Sequence, residues 1–183
     1  MLVVNLFGAP GAGKSSLALL VSGLLKTSYP EFSVECPDEF AKTIVYDEAH
    51  KALSCQLYIA GRQQWQIARC EGHADIVVCD SPVLMSWVYG SENGNKVPPE
   101  FFDVCRFYHS KYDTLNFLLF RDHEFDRRGR IHTHDDELRI NTKILDTLKA
   151  ARVPVIIVKS DVTWAAKIAD YVAIRAKQMK KYE

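Results

Sequence analysis

Residues 8–15 read Gly-Ala-Pro-Gly-Ala-Gly-Lys-Ser and satisfy every fixed position of the pattern G-x-x-x-x-G-K-[ST]. Such a loop works only behind a strand and in front of a helix. Both flanks are present. Leu2-Val3-Val4-Asn5-Leu6-Phe7 is a short apolar run readable as a buried strand. Residues 15–26 (SSLALLVSGLLK) read as a helix with a broad apolar face. The loop therefore meets a helix N-terminus, where free backbone N–H groups of residues 11–15 and the helix dipole favour a phosphate. Glycines at 8, 11 and 13 let the backbone turn tightly and approach the oxygens. The candidate phosphate contacts are Gly8, Gly11, Ala12, Gly13, Lys14, Ser15 and Ser16. Lys14 would reach the β- and γ-phosphates of ATP, and Ser15 Oγ would bind Mg²⁺.

Downstream, apolar runs alternate with helical periods. Phe32–Cys36 alternates like a short strand, and Pro37-Asp38-Glu39 opens a helical segment continuing through Lys42. Residues 55–73 are helical in period, with Leu57, Ala60, Gln64, Ile67 and Ala68 near one face. Gly61 inside that helix would mark a close approach. Asp75–Asp80 is an apolar run ending in an acid, as suits a parallel strand buried on both faces. A short helix to Tyr89 follows, then a loop over residues 90–95 and a helix from Pro98-Pro99 to Lys111. Thr114–Phe120 and Val153–Val158 read as strands, separated by a charged segment and a helix over about 135–151, and residues 161–180 as a closing amphipathic helix. This alternation predicts a three-layer α/β fold, a parallel sheet with helices on both faces. Ligands in such sheets lie beyond the carboxyl ends of the strands, where Gly8, Cys36 to Glu39, Asp80, Arg121 and Ser160 would gather.

The chain has 183 residues, which suits a single domain spanning 1–183. It contains no apolar run of bilayer-spanning length and no signal peptide, so it reads as cytoplasmic, with no membrane partner. The charges balance at 23 basic and 23 acidic residues, which argues against binding nucleic acid through a broad basic surface but leaves room for a local groove. Five cysteines show neither a C-x-x-C pair nor zinc spacing, and read as reduced thiols; Cys36 and Cys79 would lie near each other at adjacent strand ends.

Asp80 is placed to orient or deprotonate an acceptor hydroxyl, or to hold Mg²⁺ partly through water; its alternative is an acid capping the next turn. The next residue is Ser81, not a second acid, which favours transfer to an acceptor over hydrolysis. Glu39 could bind sugar hydroxyls, with Asp38 and Lys42 beside it; the plainer reading is first-turn acids facing the helix dipole. Arg121, Arg127, Arg128 and Arg130 make a basic segment within an expected lid at about 121–136, supplying guanidinium donors to the γ-phosphate, or else a solvated loop. His132, His134, Asp135 and Asp136 are metal-ligand types without a closed-site spacing. Tyr58, Trp65 and Trp87 could stack on a base or serve as core.

Taken as a series, GAPGAGKSS, Glu39-Phe40-Ala41-Lys42, Ile59-Ala60-Gly61 with Gln64, the strand ending in Asp80, and Asp126 to Arg130 (D-x-x-G-R) resemble the P-loop kinases of the nucleoside-monophosphate-kinase-like group. Within it the chain is most similar to the ribosylnicotinamide kinase domain of bacterial NAD regulators and its phage-encoded relatives. The resemblance implies a five-stranded sheet of order 2-3-1-4-5, MgATP as donor and a nucleoside-type hydroxyl as acceptor. It implies that Lys14 and Ser15 bind phosphate and Mg²⁺, that Glu39 binds the acceptor, and that Asp80 serves the acceptor hydroxyl or metal. Lys42 stands where the family commonly has Arg. The adenylyltransferase domain that accompanies the kinase in the NAD regulators is not in this sequence. Phage relatives include kinases of hydroxymethylated bases in DNA, acting in the host cytoplasm. The acceptor is thus a free nucleoside or nucleotide, or a hydroxymethylpyrimidine in DNA. A 5′-hydroxyl polynucleotide kinase and an ATP-binding regulatory switch are the other readings, in a monomer or homodimer.

Overall fold

The computed structural model describes residues 1–91, 97–120 and 134–181, without the side chains of His50 and residues 134–137. Its centre is a five-stranded parallel sheet built from β1 (Leu2–Phe7), β2 (Val34–Glu35), β3 (Ile76–Cys79), β4 (Asp113–Phe120) and β5 (Ile156–Lys159). The order is β2-β3-β1-β4-β5, as the resemblance implies. β1 lies centrally, in register with β3 (Leu2 opposite Ile76) and β4 (Leu2 opposite Asp113). All six residues of β1 and all four of β3 are buried, so both faces of the sheet are covered at its centre, whereas Ile156 and Ile157 of the edge strand β5 are exposed.

The helices are α1 (Lys14–Ser28), α2 (Phe40–Tyr46), α3 (Gln56–Ala68), α4 (Leu84–Gly90), α5 (Glu100–Ser110), α6 (His134–Ala150) and α7 (Val162–Met179). One core layer joins Val4, Leu6 and Val78 of the sheet to Leu17, Val21 and Leu25 of α1 and Ile168 and Val172 of α7. The other joins Val3, Phe7 and Val77 to Ile67, Val88, Phe101 and Ile144 from α3, α4, α5 and α6. Two asparagines cross the sheet interior: Asn5 Nδ2 donates to Asn116 Oδ1 at 3.0 Å, and Asn116 Nδ2 donates to the Pro154 carbonyl at 3.2 Å. Each buried amide is thereby partnered. Among the described residues no helix is long and apolar enough to cross a membrane.

Several boundaries differ from the expectation. β5 begins at Ile156 rather than Val153: Pro154 has no N–H for the ladder, and its carbonyl is taken by Asn116. α2 begins at Phe40, with Glu39 extended (φ −71°, ψ 106°) before it. Gln66 Nε2 donates to the Asp38 carbonyl at 3.1 Å, which holds residues 37–39 out of the helix. α3 is rotated relative to the expected face. Leu57 is exposed, while Gln56, Ile59 and Gln63 join Ala60, Gln64 and Ile67 inside. The buried glutamines donate through Nε2 to Leu53 O, Cys79 Sγ and Tyr112 Oη, while Oε1 of Gln63 and of Gln64 has no partner among the described residues. Among the described residues, a Cβ on Gly61 would meet nothing within 4 Å, so none of them makes the expected close approach.

His109 packs with its ring centroid 6.1 Å from that of Phe7, and its buried Nε2 has no partner among the described residues. Burial pushes this imidazole down to about 4. Below the unfolded-state value near 6.5 the unfolded chain takes up a proton that the folded chain refuses. Stability contributed by neutral His109 is therefore full above about pH 6.5 and is lost as pH falls toward 4. Chemical denaturation at pH 7.5 and pH 5 should show about 2 kcal/mol less loss in His109→Phe than in the parent. Equal losses in both proteins would refute the assignment.

Candidate active site

The carboxyl end of β1 runs into a loop that the backbone shapes through positive φ at Gly8 (152°), Gly11 (82°) and Gly13 (87°). Gly13 occupies the left-handed N-cap of α1. A Cβ there would lie 2.1 Å from Ser160 Oγ, at the end of β5. Glycine is thus required both by conformation and by space. Gly13→Ala should cost about 2 kcal/mol or more in thermal or urea unfolding, from left-handed strain plus the clash. Adding Ser160→Gly should recover part of that loss, and no recovery would show that the collision is not the cause.

The loop is held from above and below. Asn141 Oδ1 of α6 accepts the Ala9 N–H at 3.1 Å, and Ser160 Oγ donates to the Gly13 carbonyl at 3.3 Å. Lys14 Nζ lies across the loop, donating to the carbonyls of Gly8 (2.8 Å) and Ala9 (3.0 Å). Ser15 is half-buried at the first turn of α1, and Gly11 and Ser16 are exposed beside it; Ala12 is buried below. The first N–H groups of α1 have no intrahelical partners and face the same mouth.

β2 and β3 deliver the other half of the cluster. Burial holds the Lys14 ammonium below its usual value, while the carboxylates of Glu39 and Asp80 pull it back up. Burial raises Glu39, the Asp80 charge raises it further, and Lys14 and Lys42 oppose both. The structure thus brings Lys14, Glu39, Lys42 and Asp80 within electrostatic reach of one another at one edge of the sheet. Asp80 is 6% exposed, and its buried Oδ1 has no partner among the described residues. Such an orphan carboxylate oxygen is costly and points to a binding role. Asp38 is exposed beside this group.

Gln64 is not brought to this edge. Its amide donates to Tyr112 Oη at 3.3 Å, and Tyr112 precedes β4 at the opposite end of the sheet. The neighbouring Gln63 reaches the end of β3 instead, donating to Cys79 Sγ at 3.4 Å. Tyr89, at the end of α4, also lies in the electrostatic reach of Glu39, and burial raises its phenol. Sequence reasoning passed over Gln63, Tyr89 and Asn141. The one usable signal was Asn141, since asparagine is a poor residue for a helix interior without a partner. Cys36 and Cys79 are both free thiols, Cys79 pushed up to about 12 by burial. Tyr58 sits edge-on to Phe40 (5.2 Å) and Trp87 is tilted against Phe102 (5.5 Å), while Trp65 is exposed. Arg121, Arg127, Arg128 and Arg130, and with them most of the expected lid, lie outside the described residues, as do His132 and the side chains of His134, Asp135 and Asp136.

A glycine-rich loop between a central parallel strand and a helix N-terminus, on a 2-3-1-4-5 sheet, defines the P-loop NTPase fold in its kinase strand order. Residues 3–166 match the family described as AAA domain, and the chain belongs to that family. Among solved structures it is similar to thymidylate kinase from Ehrlichia chaffeensis, with a TM-score of 0.61, 15% identity, and coverage of 93% of this chain and 97% of that one. It is also similar to deoxyadenosine kinase from M. mycoides with products dCMP and a flexible dCDP bound, with a TM-score of 0.52, 16% identity, and coverage of 91% and 95%. At these identities the likeness is one of fold. No protein of curated function matches the sequence.

Proposed function

We propose that this protein is an ATP-dependent kinase that transfers the γ-phosphoryl group to a hydroxyl of a nucleoside-like acceptor. The observation that carries the reading is the convergence of Lys14, Glu39 and Asp80, from the ends of β1, β2 and β3, on one edge of the sheet. Backbone N–H groups of residues 11–15 cradle the phosphates, and Lys14 leaves the Gly8 and Ala9 carbonyls for the β- and γ-oxygens. Asp80 accepts the proton of the acceptor hydroxyl as its oxygen bonds to the γ-phosphorus. The bond from that phosphorus to the β–γ bridging oxygen breaks, and ADP leaves. Glu39, with Lys42 near it, holds the acceptor. A carboxylate with one unpartnered oxygen and a serine hydroxyl are hard donors of the kind Mg²⁺ takes alongside nucleotide phosphates, so Ser15 and Asp80 fit that ion. When bound, Mg²⁺ neutralises charge on the phosphate oxygens. The lid arginines Arg127, Arg128 and Arg130, with Arg121, keep their proposed role at the γ-phosphate and nucleotide.

Similar folds in a thymidylate kinase and a deoxyadenosine kinase support a nucleoside or nucleotide as acceptor. Balanced charge favours a small acceptor over nucleic acid. The motif series favours ribosylnicotinamide among free nucleosides, or a hydroxymethylpyrimidine in DNA. Transfer of labelled γ-phosphate from ATP decides among them, with a panel of ribosylnicotinamide, common nucleosides and their monophosphates, 5′-hydroxyl oligonucleotides and duplex DNA containing 5-hydroxymethyluracil. Label on a hydroxyl of a free nucleoside supports the proposal in its small-acceptor form, and label on modified duplex in its DNA form, whereas label on the phosphate of a monophosphate overturns the hydroxyl acceptor. Label confined to 5′ ends, or ATP binding with no transfer, overturns it in favour of an end kinase or a switch.

A further inference from the structure

Between the inner side of α3, the end of α5 and the sheet lies a narrow cavity with about 10 Å³ open to the centre of a water molecule. Its polar lining comes from Gln64 of α3, His109 of α5 and Thr114 of β4, with Asn5 and Tyr112 beside them. Gln64 is 8% exposed and His109 6%, and the buried atoms Gln64 Oε1 and His109 Nε2 have no partner among the described residues. Left dry, each would carry the desolvation penalty of a lost hydrogen bond. The Gln64 amide is oriented from its other side. The Glu71 carboxylate can only accept, so the Tyr112 hydroxyl gives it its hydrogen, and Lys111 Nζ donates to the same Oε1 at 2.6 Å. Tyr112 Oη is left as an acceptor, and Gln64 meets it with Nε2 at 3.3 Å. Gln64 Oε1 is thereby left for the cavity. Thr114 Oγ1 accepts from Asn116 Nδ2 at 3.1 Å and keeps its own hydrogen to give.

We infer that this cavity is a binding site for one structural water molecule, which donates to Gln64 Oε1, bonds His109 Nε2 and accepts from the Thr114 hydroxyl. The space admits one water and no larger ligand. Three polar partners are the usual number for a buried water. Water also suits His109 in either neutral tautomer, since it can donate to a bare Nε2 or accept from Nε2–H. The site explains why α3 turns a glutamine amide toward the core, where Leu57 would otherwise suit better. The water ties α3 to α5 and to the sheet, and so holds that rotation of the helix. The same rotation carries Gln63 to Cys79, next to Asp80. The water is thus a brace for the helix behind the candidate site, whichever acceptor that site takes.

A high-resolution crystal structure of the parent protein, joined to a count of long-lived internal waters by magnetic relaxation dispersion, tests this. The expected result is one ordered water within about 2.7–3.2 Å of both Gln64 Oε1 and His109 Nε2. Gln64→Leu combined with His109→Phe turns the cavity lining apolar, and apolar cavities stay dry. The double variant should therefore lose one long-lived water per chain from the count. An empty cavity in the parent, a direct bond between Gln64 Oε1 and His109 Nε2, or a water bonded to neither atom overturns the proposal. An unchanged count in a folded double variant overturns it too. The parent structure decides the matter where the double variant does not fold.

Discussion

Lys14→Ala is expected to lower kcat/KM for phosphoryl transfer at least ~100-fold, about 3 kcal/mol in the barrier, in a protein that remains folded. The two halves of this prediction have separate grounds. The ammonium is the one cation lying across the glycine loop among the described side chains, bonded to carbonyls 2.8 and 3.0 Å away. It is thus positioned to move onto phosphate oxygens, where charge redistributes during transfer. Its loss removes two hydrogen bonds at a partly exposed place, whereas the loop's shape rests on glycine backbone angles, Asn141 and Ser160. Lys14→Arg should not rescue, because a planar guanidinium fork cannot replace a compact ammonium in so close a loop. Steady-state kinetics with a melting curve check both halves. Near-normal turnover would refute the phosphate-loop assignment.

Asp80→Asn is expected to separate activity from stability in opposite directions. Transfer should fall by ~10²–10³-fold, within the range that a positioned general base contributes. Stability should hold or rise, because a buried carboxylate oxygen without a partner costs the fold more than an amide of the same shape. A third readout is pH. The Asp80 charge helps hold Glu39 above the ordinary carboxylate range, so its removal lets Glu39 ionise at lower pH. If ionised Glu39 binds the acceptor, the acid limb of residual activity shifts to lower pH in Asp80→Asn. Loss of stability together with activity would make Asp80 a structural residue instead.

Much of the arrangement is readable from local pattern. The loop motif names its own strand and helix, and β1, β3 and β4 contain apolar runs long enough to stand out. The sheet-edge residues can be named because in a parallel sheet every strand ends on the same side. Legibility fails where a residue's fate depends on something remote in sequence. α3 shows this most clearly. Its polar residues outnumber a simple stripe, and Leu57 reads as core while Gln63 reads as surface. Which glutamine turns inward is settled by Cys79 at the end of β3 and Tyr112 before β4. The start of α2 is moved by Gln66, from the far end of α3.

The candidate site divides the same way. Glycine angles at 8, 11 and 13 and the need for Lys14 after them follow from the chain alone, because steric limits on φ act within a few bonds. Asn141 over Ala9, Ser160 against Gly13 and Tyr89 near Glu39 are unions of segments far apart in the chain, and no local term encodes them. The orphaned oxygen of Asp80 belongs to this second group as well. An acid at the end of an apolar strand is a sequence fact, but its burial beside Lys14 and Glu39 exists only once three strands lie side by side, since desolvation and charge coupling are properties of the packed whole.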